Sequence, residues 1–176
     1  TEIHYLGQGV SAALGHPPSA EAPPAGERTG VAIGSPQVLA DAMGILLGEL
    51  KFLCYHRDVG KVSHYRRFTI PKKTGGERVI SAPMPRLKRA QYWVLDNILS
   101  AAHTHPAAHG FVAKRSILTN AAPHVGRAVV VNLDLKDFFP SITFPRIKGV
   151  FQHLGYAEDI ATLLALLCSE NVADDM

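Results

Sequence analysis

Apolar residues recur at helical spacing through Leu39, Met43, Leu46, Leu47, Leu50 and Leu53, directly after Ser35-Pro36, an N-cap residue followed by proline at the first helical position. The spacing predicts a core-facing helix. From Tyr65 the period changes to two: Phe68 and Ile70 alternate with Arg67 and Thr69, the turn residues Lys72-Lys73-Thr74-Gly75-Gly76 follow, and Glu77-Arg78-Val79-Ile80 resumes an extended run to Pro83. This predicts a β-hairpin with a basic tip. After Pro85, the positions Leu87, Gln91, Val94, Leu95, Ile98 and Leu99 mark one face of another helix. Ala128 to Leu135 is a nearly continuous β-branched and apolar run closed by Pro140, which predicts a central strand buried on both faces. Two short amphipathic helices are expected next, one with Ile147, Val150, Phe151 and Leu154 on its face, the other with Ile160, Leu163, Leu164 and Leu167. They should pack against that strand. The implied class is α+β, helices packed on a small antiparallel sheet.

Residues 15 to 30 hold four of the twelve prolines and almost nothing that could build a core, so residues 1–34 read as a linker or disordered extension. A hydrophobic content of 47% with 19% charged residues lies in the ordinary soluble range, and 176 residues suffice for one sizeable core. No run approaches the roughly eighteen apolar residues of a membrane span, and the basic-then-apolar order of a signal peptide is missing, so a cytoplasmic protein without a membrane partner is expected. Cys54 and Cys168 are the only cysteines, too few for a disulfide framework or a cysteine zinc site, and both are expected to be buried thiols.

Charge changes this picture. The net +3 is unevenly placed: residues 61 to 127 hold twelve Lys or Arg against Glu77 and Asp96, a local +10, which leaves −7 for the rest. A surface of that kind attracts polyphosphate, whether nucleic acid, nucleotide or anionic membrane. Arg86, Lys88 and Arg89 fall in the first turn of the helix after Pro85, where cations oppose the helix dipole and a nearby anion would offset the penalty.

Candidate chemistry centres on Asp134. A carboxylate beside Val129-Val130-Val131 and between Leu133 and Leu135 would be desolvated unless compensated. A divalent metal at the end of the strand would compensate it, with carboxylate and backbone carbonyl oxygens suiting Mg²⁺; a strand-end Asp capping the next turn is the alternative. His103, His105 and His109 form a His-x-His-x₃-His pattern, but the loop has no acidic or cysteine partner, so exposed histidines are expected there rather than a metal site.

Asn132-Leu133-Asp134-Leu135-Lys136-Asp137-Phe138-Phe139-Pro140-Ser141-Ile142 resembles the first palm motif of reverse transcriptases, closest to the retron group. Ile70-Pro71-Lys72-Lys73-Thr74-Gly75-Gly76-Glu77-Arg78 resembles the fingers hairpin of retron and group II intron enzymes. His109-Gly110-Phe111, Arg115-Ser116-Ile117 and Asn120-Ala121-Ala122-Pro123-His124 resemble the retron segment before the palm strand. The three occur in the family's order, and the resemblance covers roughly residues 36 to 170.

The resemblance implies right-hand polymerase fingers over 35–127 and the first part of a palm over 128–176. It implies an RNA-directed DNA polymerase that extends a primer on a structured noncoding RNA from dNTPs, in a ribonucleoprotein with its DNA product and an effector protein, in antiphage defence. In such enzymes two Mg²⁺ ions lower the cost of charge on the attacking and leaving oxygens. Asp134 would be a catalytic metal ligand and the Leu135 carbonyl a second ligand. Backbone amides near Asp137 and Phe138 would meet the phosphates, with the Asp137 carboxylate a solvent-facing turn group. Phe139, five positions after Asp134, would lie beneath the incoming sugar and exclude a 2′-hydroxyl, whereas Phe138 is expected in the core. Lys72, Lys73 and Arg78 would hold the triphosphate; Arg66, Arg67, Arg86, Lys88 and Arg89 would line the template-primer backbone. Asn120 and His124 match without an evident chemistry.

A complete palm of this family also has a Pro-Gln-Gly segment and a Tyr-x-Asp-Asp turn. Neither occurs, and Asp174-Asp175 follows two expected helices with Val172 in place of Tyr, so it reads as a polar loop. The chain by itself is expected to be inactive. The alternatives are a group II intron-like or other defence reverse transcriptase, and a non-catalytic RNA-binding scaffold.

Overall fold

A computed structural model describes residues 31–54, 63–73 and 75–170. Helix α1 (Pro36–Met43) begins where the sequence signals it: the Ser35 hydroxyl accepts the Val38 N–H at 3.3 Å and Pro36 occupies the first turn. The expected single helix is in fact two. Gly44 adopts φ 68°, its N–H closes back on the carbonyls of Ala40 and Asp41, and α2 (Leu47–Cys54) starts in a new direction, leaving Leu46 79% exposed. The apolar spacing continues across the break because Leu47, Leu50 and Leu53 return to the same core from α2.

The hairpin forms as expected. Strands β1 (Tyr65–Pro71) and β2 (Glu77–Pro83) pair antiparallel from Tyr65 opposite Pro83 to Pro71 opposite Glu77. At the tip Gly75 and Gly76 take φ 89° and 79°, the Lys72 N–H bonds the Gly76 carbonyl at 2.9 Å and the Gly75 N–H bonds the Lys72 carbonyl at 3.1 Å. The helices do not pack across this sheet as expected. Only the base of the ribbon reaches the core, through Tyr65, and residues 66–73 and 75–79 are exposed.

Helix α3 (Pro85–Asn97) buries Leu87, Ala90 and Val94, with Ile98 just beyond its end. After a 3₁₀ turn at Leu99–Ala101 come α4 (Ile117–Ala121), a second 3₁₀ turn at Ala122–His124, α5 (Phe144–His153) and α6 (Glu158–Cys168). Helix α6 is the hub, packing against α1, α2, α3 and α5. Leu39, Leu50, Leu87, Val94, Ile98, Phe151, Ile160, Leu164 and Leu167 are fully buried in one core that draws on both sides of position 128. Val150, expected on the inner face of α5, is 53% exposed. Gln91 ties three elements together, its Nε2 donating to the Tyr65 hydroxyl at 3.1 Å and the Leu167 carbonyl at 2.9 Å. Tyr156 donates to the Val31 carbonyl at 3.1 Å, and burial pushes its phenol up.

Cys54 is buried and Cys168 half-buried. The Cys54 thiol donates to the Leu163 carbonyl at 3.6 Å, and burial, with Cys168 adding to it, pushes that thiol up to about 12. Burial raises Cys168 to about 11. Both are therefore neutral packing groups at physiological pH.

The largest departure from expectation lies at Ala128 to Leu135. No strand forms there, and every residue from 116 to 141 is exposed. A strand buried on both faces needs a ladder partner on each side and covering layers above and below. Among the described residues β1 and β2 pair only with each other and α6 packs on α1, α2, α3 and α5, so neither a ladder partner nor a covering layer lies at 128–135. Residues 1–30 and 171–176, with the expected linker and Asp174-Asp175, lie outside the described residues.

Candidate nucleotide and nucleic-acid surface

Lys72 and Lys73 sit at the β1 end of the hairpin turn, and Arg78 lies opposite Ile70 on β2. With Ile70 and Pro71 they line a concavity of about 360 Å³. The hairpin thus brings together the three cations expected to hold a triphosphate, around a space that a phosphate chain could enter. All five lining residues are exposed, so the concavity opens to solvent. Asp134 and Phe139 do not line this concavity.

The five cations expected on the nucleic-acid backbone have different surroundings. Arg66 lies over the Phe68 ring at 5.8 Å and lines a second concavity of about 450 Å³ with Tyr65, Phe68, Ala82, Pro83 and Met84 among its walls. Lys88 lies 5.8 Å over the Tyr92 ring, and Arg89 is exposed on the same helix. Arg86 is 3.9 Å from Glu49, a loose pair at a 68%-exposed side chain. Arg67 is the exception: it donates to Glu170 Oε1 from Nη2 at 2.9 Å and Nε at 3.2 Å, so its charge is already met within the chain.

Asp134 is exposed on the irregular stretch that replaces the expected strand. The desolvation reasoning that singled it out therefore does not hold in this structure, because its apolar neighbours Leu133 and Leu135 are 83% and 69% exposed and enclose nothing. Phe138 is likewise not a core residue. It is 49% exposed and packs edge-on against Phe139, with centroids 5.6 Å apart, because the turn starting at Asp137 points both rings away from the helical core. Asp137 itself takes φ 52°, and the Ser141 N–H closes the turn on its carbonyl at 3.0 Å.

The Asp134 carboxylate and the Leu135 carbonyl are hard oxygen donors of the kind Mg²⁺ prefers. They fit such a site in kind but not in number, since no three His, Cys, Asp or Glu side chains gather among the described residues. His103 and His105 are exposed, and His109 lies 3.0 Å from the Thr119 hydroxyl. Asn120 and His124 are exposed on α4 and the following 3₁₀ turn. No helix of the described residues is long and apolar enough to cross a membrane.

Two residues that sequence reasoning did not assign a role belong with the phenylalanines. The Phe111 ring stands 6.2 Å from Phe139 at an interplanar angle of 80°, and Arg115 braces the loop that carries it through the carbonyls of Pro106 and Ala108. Helical or strand periodicity carries no trace of this contact, since it joins two irregular loops.

Comparison with known proteins explains why these motifs occur together. The chain is 45% identical over 175 residues to the retron Mx162 reverse transcriptase of Myxococcus xanthus, covering 97% of this chain and 36% of that protein. It is 48% identical over 133 residues to the retron Mx65 reverse transcriptase of the same organism, covering 76% of this chain and 31% of that protein. With the retron Ec86 reverse transcriptase of Escherichia coli it shares 39% over 132 residues, covering 74% and 40%. No family model matches the chain. These identities put the chain in the class of reverse transcriptases. Within that class it belongs to the retron family, and it spans about a third of the length of the curated relatives it matches.

Proposed function

We propose that this chain is the fingers (35–127) and first palm portion (128–176) of an RNA-directed DNA polymerase of retron type, which extends a primer on a structured noncoding RNA. The observation that carries the reading is identity of 39–48% to three retron reverse transcriptases over most of this chain. The concavity formed by Lys72, Lys73 and Arg78 supports it, because three cations around an open pocket suit the triphosphate of a dNTP. Arg66, Arg86, Lys88 and Arg89 serve the template-primer backbone, and Arg67 contributes by fixing β1 to the end of α6 through Glu170. Asp134, with the Leu135 carbonyl, supplies one part of a Mg²⁺ site whose other ligands lie elsewhere in the enzyme. Phe139 faces the sugar of the incoming nucleotide. The wider setting, a cytoplasmic ribonucleoprotein with an effector protein in antiphage defence, is carried by the family resemblance.

Primer extension on a structured RNA by the full-length protein tests the reading. Asp134→Asn is expected to reduce DNA synthesis to background while RNA binding persists. DNA synthesis surviving in this variant would remove Asp134 from the metal site. A wild-type protein that binds RNA but extends no primer would replace the polymerase with a scaffold.

A further inference from the structure

His109-Gly110-Phe111 has no role in the site described so far, yet its backbone is held in an unusual state. Phe111 takes φ 59° and Lys114 φ 63°, a left-handed conformation that bulky residues rarely adopt without a compensating cause. Packing into the core is not that cause, because Phe111 is 98% exposed.

The loop is nonetheless tied at both ends. Arg115 Nη1 donates to the carbonyls of Pro106 and Ala108, the latter at 2.9 Å. Thr119 Oγ1 donates its one proton to the Ser116 carbonyl at 2.8 Å and accepts the Ser116 N–H at 2.9 Å. His109 Nδ1 lies 3.0 Å from the same hydroxyl, a third contact that ties the loop to the start of α4. Opposite lies a second turn built the same way. Asp137 takes φ 52°, Ser141 Oγ donates to the Phe138 carbonyl at 2.6 Å, and the Ile142 N–H bonds the Phe139 carbonyl at 3.1 Å. Two braced turns thus present Phe139 between Phe111 and Phe138, with ring angles of 80° and 70° to them. Edge-to-face pairs orient a ring because the positive edge of one seeks the negative face of the other.

We infer that Phe111 is a positioning residue for Phe139, holding that ring in the orientation that discriminates deoxyribonucleotides from ribonucleotides. The inference rests on the reading that Phe139 faces the incoming sugar. Phe111 acts through Phe139 and touches no reacting atom.

The test is the ratio of ribonucleotide to deoxyribonucleotide incorporation by the full-length enzyme carrying Phe139→Val, Phe111→Ala, Phe111→Tyr, or Phe139→Val with Phe111→Ala. Phe139→Val should raise the ribonucleotide share. Phe111→Ala should raise it by about 2- to 10-fold, the span an edge-to-face pair commands, and Phe111→Tyr, which retains the ring, should keep it at the wild-type value. The double variant should match Phe139→Val alone, since Phe111 acts only through that ring. If Phe139→Val shifts the ratio and Phe111→Ala does not, or if the two shifts multiply, the positioning role is overturned while the sugar-facing reading stands. If Phe139→Val leaves the ratio unchanged, both fall. The Phe111 ring buries almost nothing, so a fall in thermal stability of Phe111→Ala beyond that of a surface change would also count against a role confined to Phe139.

Discussion

Lys72, Lys73 and Arg78 line one concavity at the hairpin tip, and the proposed reading has them hold the nucleotide's phosphates there. Arg78 is the member with a fork able to grip two oxygens at once. Arg78→Ala in the full-length enzyme should raise KM for dNTP about 10- to 100-fold, the equivalent of roughly 1.5–3 kcal/mol for a charge-assisted bond. Arg78→Lys should recover only part of that loss, since an ammonium is a point charge. Steady-state kinetics on a fixed primer-template checks both, and an unchanged KM would move the triphosphate away from the tip. Side-chain type and spacing made the basic-tipped hairpin legible in the sequence, a two-residue alternation closed by Gly75-Gly76, whereas the phosphate role of its cations came from the family resemblance. The rings of Phe111 and Phe139 were not legible as a pair. Their contact depends on positive φ at Phe111 and Asp137, which no local preference of Phe or Asp demands.

Element boundaries followed the capping residues more faithfully than the apolar spacing. Ser35 and Pro36 begin α1 as expected, but Gly44 ends it in a left-handed cap that the continuing Leu series conceals. Ser35→Ala should cost about 1 kcal/mol by leaving the first-turn N–H of Val38 without its hydroxyl. Gly44→Ala should cost about 1 kcal/mol because its Cβ meets no neighbour and only the backbone strain at φ 68° opposes it. Urea unfolding with an unchanged m-value is the measurement; a neutral Gly44→Ala would mean that α1 and α2 can merge into the single helix the spacing suggests. The run from Ala128 to Leu135 carries the opposite lesson. Its β-branched composition is a real strand preference, but strand formation needs partners for its N–H and C=O groups, and the two strands among the described residues pair only with each other.

For the molecule as a whole, stability is concentrated in α6. Leu164 is fully buried on the helix that contacts α1, α2, α3 and α5, so Leu164→Ala should cost about 2–5 kcal/mol. An equivalent truncation at Val129, which is 78% exposed, should cost little. Thermal or urea unfolding separates the two, and equal losses would show that the 128–135 run is buried in solution. The same contrast divides what could be read from the chain alone from what could not. Helical periodicity, the hairpin, the basic segment and the order of the three motifs are local properties, so residue order by itself determined them and the family they announce. The choice of partners is not local. That α6 gathers α1–α3 and α5 around it, that Arg67 is met by Glu170, that Asp134 stands in solvent, and that Phe111 reaches Phe139 were decided only by tertiary structure, because each depends on which residues far apart in sequence come together.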